Sequence, residues 1–209
     1  MKFLILGILS YLSGSLMIGY WIGKIIFNKN IRDLGSGNIG TTNTFRTLGL
    51  IPGLFTMILD ILKGAIPVWV GFYFFGNNFQ GQIISLFFGF IAVVGHVYSI
   101  FLNFHGGKAV ATSAGVVLAF NPTFFLIVAL VFGITLFISS IISVASISAF
   151  IFGTLYTWLI IHDNFLGIFA ILATIIMLYA HRKNIIRIIK KEEPVINFGL
   201  YYWLFKKVK

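Results

Sequence analysis

The sequence predicts an all-α integral membrane protein, a polytopic bundle of about seven transmembrane helices. Its 209 residues are 59% hydrophobic and only 10% charged, and its mean hydropathy of +1.01 is far above that of water-soluble proteins. Apolar runs of about 20 residues, which as helices would cross a hydrocarbon layer of roughly 30 Å, recur along the chain. We therefore expect one integral membrane domain over residues 1–209.

Hydropathy and turn residues place the seven spans in order. The amino-terminal apolar run continues to Gly23 behind a single positive residue, so we interpret it as the first span rather than a signal peptide. Asn121-Pro122 ends the fourth span, which is short or tilted, because a helix does not readily continue through that pair. The spans are expected at residues 3–23, 50–75, 83–102, 109–120, 123–138, 142–161 and 165–179.

The positive residues give the expected orientation. Lys and Arg are enriched in cytoplasmic loops, so we expect the amino end outside, the carboxyl end in the cytoplasm and a location in the cell membrane. Lys2 falls on the outer side, and Lys63 lies inside the second span three residues after Asp60, as a neutralising pair that serves either packing or chemistry. The other thirteen of the 15 fall on the cytoplasmic side: Lys24, Lys29, Arg32, Arg46, Lys108, Arg182, Lys183, Arg187, Lys190, Lys191, Lys206, Lys207 and Lys209.

Composition also excludes several kinds of site. The formal charge of +10 does not indicate a nucleic-acid partner, because no separate soluble basic domain carries it. The chain has no cysteine, which excludes disulfides, thiolate metal sites and a cysteine nucleophile. Acidic ligands are scarce and no two histidines are four residues apart, so we expect neither a metal nor a cofactor.

The first polar segment, residues 35–46, reads Gly-Ser-Gly-Asn-Ile-Gly-Thr-Thr-Asn-Thr-Phe-Arg. Glycines among Ser, Thr and Asn donors allow the backbone N–H groups to wrap around an anion, and Arg46 adds a planar fork suited to phosphate or carboxylate. The same residues also form ordinary turns, so this segment alone does not decide between the two.

The second polar segment runs from Gly95-His96 to Gly106-Gly107-Lys108 and on to Thr112. Gly-Gly-Lys directly before a helical pattern predicts that free N–H groups, the helix dipole and an ammonium group converge on one anion. The spacing of a nucleotide-binding P-loop is absent, so ATP hydrolysis is not supported.

The third polar segment contains His181, Asn184 and Arg187 at intervals of three, which on a helix form one polar stripe opposite isoleucines. An amphipathic helix at the membrane interface would show the same pattern.

Together these segments resemble the bacterial family of acyl-phosphate:glycerol-3-phosphate acyltransferases. The resemblance rests on the 35–46 segment, Asp60-x-x-Lys63-Gly64, Gly95-His96 with Phe104-x-Gly106-Gly107-Lys108-x-Val110-Ala111-Thr112, and His181-x-x-Asn184-Ile185-x-Arg187. It implies transfer of an acyl group from acyl phosphate to the 1-hydroxyl of sn-glycerol 3-phosphate, giving lysophosphatidic acid and phosphate, the first step of phospholipid synthesis. The expected partners are these two substrates and membrane lipid, and the expected state is a monomer. The family commonly has Pro at Met17 and Gly at Ala109, and these departures indicate a divergent member.

The resemblance also implies roles for single residues. Donor phosphate is assigned to the second segment and Ser143, and acceptor phosphate and glycerol hydroxyls to the first and third. The base is His96, His181 or a substrate phosphate. The catalytic candidates are Arg46, His96, Lys108 and His181, and the substrate-binding candidates are Ser36, Gly37, Asn38, Thr42, Asn43, Gly106, Gly107, Thr112, Ser143 and Asn184.

Two alternatives stay open at this point. A transporter of a phosphorylated solute would also need cations at membrane depth, but it should show repeated halves and polar residues in several spans. A catalytically inactive or regulatory relative would keep the anion-binding segments without turnover.

Overall fold

The structure is a computed structural model that describes residues 1–206, so Lys207 and Lys209 of the basic tail lie outside the described residues. The described part is helical and has no strand, which confirms the predicted all-helical class. Its α-helices are α1 Lys2–Ser15, α2 Ile18–Ile26, α3 Thr41–Leu48, α4 Leu50–Phe75, α5 Phe79–Val97, α6 Val110–Phe120, α7 Pro122–Ser139, α8 Ile142–Tyr156, α9 Asn164–Ala180, α10 Arg182–Ile189 and α11 Leu200–Phe205.

The helices agree with a multi-span membrane protein. Four helical segments within residues 1–206 are long and apolar enough to cross a membrane, and six if each of two bent helix pairs counts as one span. The second span has the predicted bounds, and the predicted short fourth helix is α6, with 11 residues. The count of seven and the orientation of the ends stay predictions.

Contacts within the chain form two compact units, Met1–Pro122 and the part from Thr123 onward. The first unit holds α1 to α6, and the second holds the remaining helices. The prediction that residues 1–209 make one domain stays a prediction.

Glycines allow the helices of the first unit to pack backbone against backbone. A Cβ atom on Gly64 of α4 would overlap the carbonyl oxygen of Thr112 in α6, and one on Gly115 of α6 would overlap the carbonyl oxygen of Ile61. Helices without a side chain at the contact approach closely, which is how membrane helices gain packing energy. The start of α6, and with it the second polar segment, is thereby held against the middle of α4.

The predicted first span, 3–23, contains a break in its helix. Helix α1 ends at Ser15, α2 begins at Ile18, and the two axes differ by 53°. The break forms without a proline, since residue 17 is Met. A break leaves carbonyl groups unpaired, and in hydrocarbon each unpaired group costs several kcal/mol. Two side chains satisfy them: Ser99 Oγ donates to the Ser15 oxygen at 2.6 Å, and Lys63 Nζ donates to the Leu16 oxygen at 2.7 Å.

The second unit is organised around the pair α8 and α9. The hydroxyls of Thr154 and Thr174 lie 2.8 Å apart across this pair. The chain after α10 then returns to the junction of α7 and α8, where the N–H of Ile196 donates to the Ser140 carbonyl at 2.9 Å. This return brings the segment around Glu193 to the start of α8.

Candidate active site

The first two polar segments lie at the same end of the first unit. Arg32, just before the first segment, donates from its guanidinium to the carbonyl oxygen of His105 at 3.5 Å. The Lys2 ammonium lies at the other end, 6.0 Å from the ring centre of Phe74 in the last turn of α4. Two glycine-rich segments with their cations therefore share one face of this unit.

The first polar segment is a short loop followed by a helix, and Asn43 holds the two together. Its Nδ2 donates to the carbonyl oxygens of Ile31 and Leu34 at 2.9 and 3.0 Å. Its Oδ1 accepts from the N–H of Ser36 at 2.8 Å and from the Ser36 hydroxyl at 3.1 Å. Asn43 is 1% exposed. Its amide therefore shapes the loop from inside, and its contact with a substrate stays a prediction.

The other candidates of this segment are distributed over the loop and the helix. Ser36 and Gly37 are exposed in the loop, where Gly37 has a φ of +71° that favours glycine, and Asn38 is half-buried. Thr42 lies half-buried in the first turn of α3, and Arg46 is exposed in the last turn. The second half of this segment is helical, since α3 begins at Thr41 directly after Gly40.

In the second polar segment, the two glycine N–H groups are already paired. Gly106 N donates to the Val97 oxygen at 2.9 Å, and Gly107 N donates to the His96 oxygen at 3.0 Å. The prediction that both N–H groups point at an anion is therefore wrong in this structure. The glycines serve close packing instead, because a Cβ on Gly106 would overlap the His96 carbonyl oxygen. The chain thereby doubles back onto the end of α5.

His96 lies inside this turn rather than at its surface. The ring is 3% exposed, and its Nδ1 shares a hydrogen bond of 3.0 Å with Oγ1 of Thr112, which is fully buried. A Cβ on Gly107 would overlap Nε2 of the same ring. Both ring nitrogens therefore face protein atoms, so this arrangement disfavours His96 as the base.

Lys108 and the start of α6 form the accessible part of the second segment. Lys108 is half-buried directly before Ala109, which takes a left-handed conformation with φ 54° and ends the turn. The first N–H groups of a helix have no partner within the helix, and the positive end of its dipole lies there. The 11-residue α6 thus offers an anion its first turn together with the Lys108 ammonium.

The predicted pair in the second span is present as an ion pair. Lys63 Nζ lies 2.8 Å from Oδ1 of Asp60, and the side chains are 6% and 2% exposed. Asp60 Oδ2 also accepts from the hydroxyl of Thr41 at 3.1 Å, and Oδ1 lies 4.0 Å from Nδ1 of His96.

In the second unit, the polar residues predicted to lie along one face of α10 include two that donate hydrogen bonds to the carboxylate of Glu193. Asn184 Nδ2 and Ser143 Oγ both donate to Oε1 of Glu193, at 2.5 and 2.8 Å. Arg187 Nε donates to Oε2 at 2.7 Å. Burial raises the pKa of Glu193, but the hydrogen bonds from Arg187, Asn184 and Ser143 and the charge of Arg187 outweigh it, so the pKa lies below its usual value.

His181 stands at the junction of α9 and α10 and is 2% exposed. Its Nδ1 lies 3.0 Å from the carbonyl oxygen of Met177. Because a carbonyl only accepts, Nδ1 carries the proton, and Nε2 is the nitrogen that a neutral ring uses to accept one. The role of His181 as a base stays a prediction.

The sequence prediction missed two residues that organise these clusters. Glu193 lies in a basic tail that is expected to form an interfacial segment. The only acidic residues of this tail are Glu192 and Glu193, and this contrast in charge is the signal that could have identified Glu193. Thr41 was assigned no role, and no local pattern marks its bond to Asp60, since the two are 19 positions apart in the chain.

Comparisons with known proteins give a consistent picture. The family described as glycerol-3-phosphate acyltransferase matches residues 4–191. A glycerol-3-phosphate acyltransferase of Limosilactobacillus reuteri (strain DSM 20016) is 48% identical, over 96% of this chain and 94% of its own. One of Streptococcus thermophilus (strain ATCC BAA-491 / LMD-9) is 43% identical, over 96% of both chains.

Solved structures extend the likeness to the fold. The glycerol 3-phosphate form of PlsY (YgiH), an integral membrane glycerol 3-phosphate acyltransferase, superposes with a TM-score of 0.86 at 36% identity, covering 99% of this chain and all of that one. Its lysophosphatidic acid form superposes with a TM-score of 0.83 at 36% identity, over 94% and 96% of the two chains.

Proposed function

This chain belongs to the glycerol-3-phosphate acyltransferase family, and on that premise we propose that it acylates the 1-hydroxyl of sn-glycerol 3-phosphate with acyl phosphate as the donor. The products are lysophosphatidic acid and inorganic phosphate. The observation that supports this best is the common face of the two glycine-rich segments, which offers cations and a helix start beside apolar helices. Both substrates carry a phosphate, and the donor also carries an acyl tail.

The bonds that form and break in this reaction all belong to the two substrates, and the protein forms no covalent bond. The hydroxyl oxygen forms a bond to the acyl carbonyl carbon, the bond from that carbon to the phosphate oxygen breaks, and phosphate leaves with the electron pair. An acyl phosphate is a mixed anhydride, so its phosphate leaves without a strong acid. The protein has mainly to hold two mutually repelling anions with the hydroxyl near the carbonyl, which cations and N–H donors accomplish.

We assign the donor phosphate to Lys108 and the first turn of α6. Thr112 lies in that turn and is buried with its hydroxyl bonded to His96, so we propose that it supports the donor site through this bond. Gly106 and Gly107 act by allowing the turn to close on α5.

We assign the acceptor phosphate and glycerol hydroxyls to Arg46 with Ser36, Gly37, Asn38 and Thr42, which belong to the same segment of the first unit. Arg46 is exposed, and its planar fork suits a phosphate. The roles of Ser143, His181 and Asn184 in substrate binding stay predictions from the family motif. For the proton of the hydroxyl we propose His181 or a substrate phosphate, whose second pKa of about 6 resembles that of a phosphomonoester.

The protein is a multi-pass membrane protein, and we propose that it works as a monomer in the cell membrane. The positive residues favour the cytoplasm for the face that carries both glycine-rich segments. Both glycerol 3-phosphate and the released phosphate would then exchange with the cytoplasm.

Turnover by purified protein in detergent micelles tests this function. We expect palmitoyl phosphate with glycerol 3-phosphate to release inorganic phosphate and lysophosphatidic acid in equal amounts, and palmitoyl-coenzyme A to give no steady turnover. A thioester presents a bulky nucleotide, and none of the four histidines has the aspartate five residues on that thioester-dependent glycerolipid acyltransferases use to orient a base. Comparable rates with both donors would contradict the choice of acyl phosphate, and no turnover with either would favour an inactive relative.

A further inference from the structure

The ion pair of Asp60 and Lys63 lies buried in the long apolar helix α4. Asp60 is 1% exposed and Lys63 is 6% exposed. Taking two charges out of water is expensive, and a pair of well-packed apolar residues is often as stable or more stable. Packing alone does not explain why a charged pair occupies these positions. The other hydrogen bonds and contacts of the two side chains indicate a further role.

Lys63 acts on the break of the first span. Its ammonium donates to the carbonyl oxygen of Leu16 at 2.7 Å while it pairs with Asp60 at 2.8 Å. An apolar side chain at this position would leave the Leu16 oxygen unpaired. The direction of α2 after the break thus depends on an ammonium that α4 provides.

The break matters because α2 supports the first polar segment. Tyr20 of α2 lies under Arg32, with 5.2 Å from the guanidinium carbon to the ring centre. A Cβ on Gly19 of α2 would overlap the hydroxyl oxygen of Thr44 in α3. Helix α2 and the helix that carries Arg46 are therefore in direct contact.

Asp60 lies next to residues of both the first and the second polar segment. Its Oδ2 accepts from the hydroxyl of Thr41, the first residue of α3, and its Oδ1 lies 4.0 Å from Nδ1 of His96. His96 in turn supports Gly107 and bonds to Thr112. One carboxylate is thus adjacent to the helix of Arg46 and to the turn that precedes Lys108.

We infer that the Asp60–Lys63 pair is a positioning unit, which holds the break of the first span and the start of α3 so that the two substrate-binding segments keep their relative placement. This inference rests on the proposed function, because it concerns the same two segments. Neither residue touches substrate, and both act through Leu16, Thr41 and His96.

Two variants test the inference, each purified and assayed for turnover of palmitoyl phosphate with glycerol 3-phosphate. Asp60→Asn with Lys63→Met removes both charges together and keeps an acceptor for Thr41, but it leaves Leu16 without its donor. We expect it to fold and to lose about tenfold to a hundredfold in kcat/KM, since small misplacements of binding groups have effects of this size.

Thr41→Val removes only the bond to Asp60. We expect it to raise KM for glycerol 3-phosphate about fivefold, the worth of one ordinary hydrogen bond, with little change in KM for palmitoyl phosphate, and Thr41→Ser to restore the wild-type value. Thr154→Val is the control, because it deletes a half-buried threonine hydroxyl in the second unit. Its kinetic constants should equal those of the wild type.

Wild-type kcat/KM in the folded double variant would overturn the inference, and so would an unchanged KM in Thr41→Val. If the double variant fails to fold, Thr41→Val decides alone. A purely structural role would lower the unfolding temperature and leave the constants per folded molecule unchanged. The wild-type protein tests the proposed function, while ratios of variant to wild type test this inference, so the two failures are distinguishable.

Discussion

Nδ1 of His96 lies 3.0 Å from Oγ1 of Thr112, and this bond joins the last turn of α5 to the first turn of α6. Residues 97–111 lie between these two side chains and include the proposed phosphate cation, Lys108. The bond therefore closes the base of the turn on which donor binding depends.

We expect Thr112→Val to lower kcat/KM for acyl phosphate about fivefold, because the loss of one hydrogen bond leaves the His96 ring without its partner. Thr112→Ser keeps the hydroxyl and should stay close to the wild type. Steady-state kinetics with varied palmitoyl phosphate gives the comparison. Equal constants for the valine and serine variants would show that the bond has no part in donor binding.

Arg46→Ala and Lys108→Ala should each lower kcat about a hundredfold to a thousandfold, by analogy with the removal of one oxyanion donor. Each removes a cation from an accessible position of a proposed phosphate site. Lys190→Ala is the matched control, since Lys190 is exposed at the end of α10. Phosphate release by equal amounts of monodisperse protein measures the effect, and normal turnover in both loop variants would contradict the assignment.

Ala109→Gly should raise the unfolding temperature by about 2 to 8 °C. Ala109 has a φ of +54°, and a left-handed backbone costs a residue with a Cβ about 1 to 2 kcal/mol that glycine does not lose. Ala145→Gly is the opposite control, because Ala145 is buried in the helix α8 and glycine there should destabilise by about 1 kcal/mol. Thermal unfolding in one detergent compares the two variants with the wild type. A lower unfolding temperature for Ala109→Gly would contradict the presence of strain.

Glu193 should make stability fall at acidic pH. The folded state lowers its pKa, so its contribution is fully present above the ordinary glutamate pKa of about 4.3 and is lost as the pH falls through the lower folded value. Glu193→Gln should reduce stability at pH 7 and flatten its decline below about pH 5. Glu192→Gln is the control, since Glu192 is exposed beside it. Unfolding temperatures measured between pH 3.5 and pH 7 cover both sides of the ordinary glutamate pKa of about 4.3. If the unfolding temperatures of Glu193→Gln and of the wild type change in parallel with pH, this role of Glu193 is contradicted.

Single cysteines at Ser36 and Asn77 test the orientation, because the chain has no cysteine of its own. Ser36 is exposed in the loop before α3, and Asn77 is exposed between α4 and α5. The charge distribution predicts that an impermeant thiol reagent labels Asn77→Cys in intact cells and Ser36→Cys only after lysis. The reverse pattern would mean that the topology is inverted.

The sequence by itself determined features that act within one segment. Hydropathy placed the second span at its observed bounds, 50–75, and the spacing of Asp60 and Lys63 identified their ion pair. Motif order also identified the family across nearly the whole chain. Such features follow from the periodicity of a helix and from the preference of apolar side chains for hydrocarbon over water. Both depend only on residues that are close in the sequence.

Tertiary structure decided which polar groups are accessible to a ligand. Asn43 turns inward, the N–H groups of Gly106 and Gly107 bond to the end of α5, and Glu193 gathers Ser143, Asn184 and Arg187. The break after Ser15 likewise forms without proline because Lys63 and Ser99 satisfy its carbonyl oxygens. Each of these arrangements depends on a hydrogen-bond partner from elsewhere in the fold. A buried polar group must find such a partner wherever the fold provides it, and local spacing does not specify where that is.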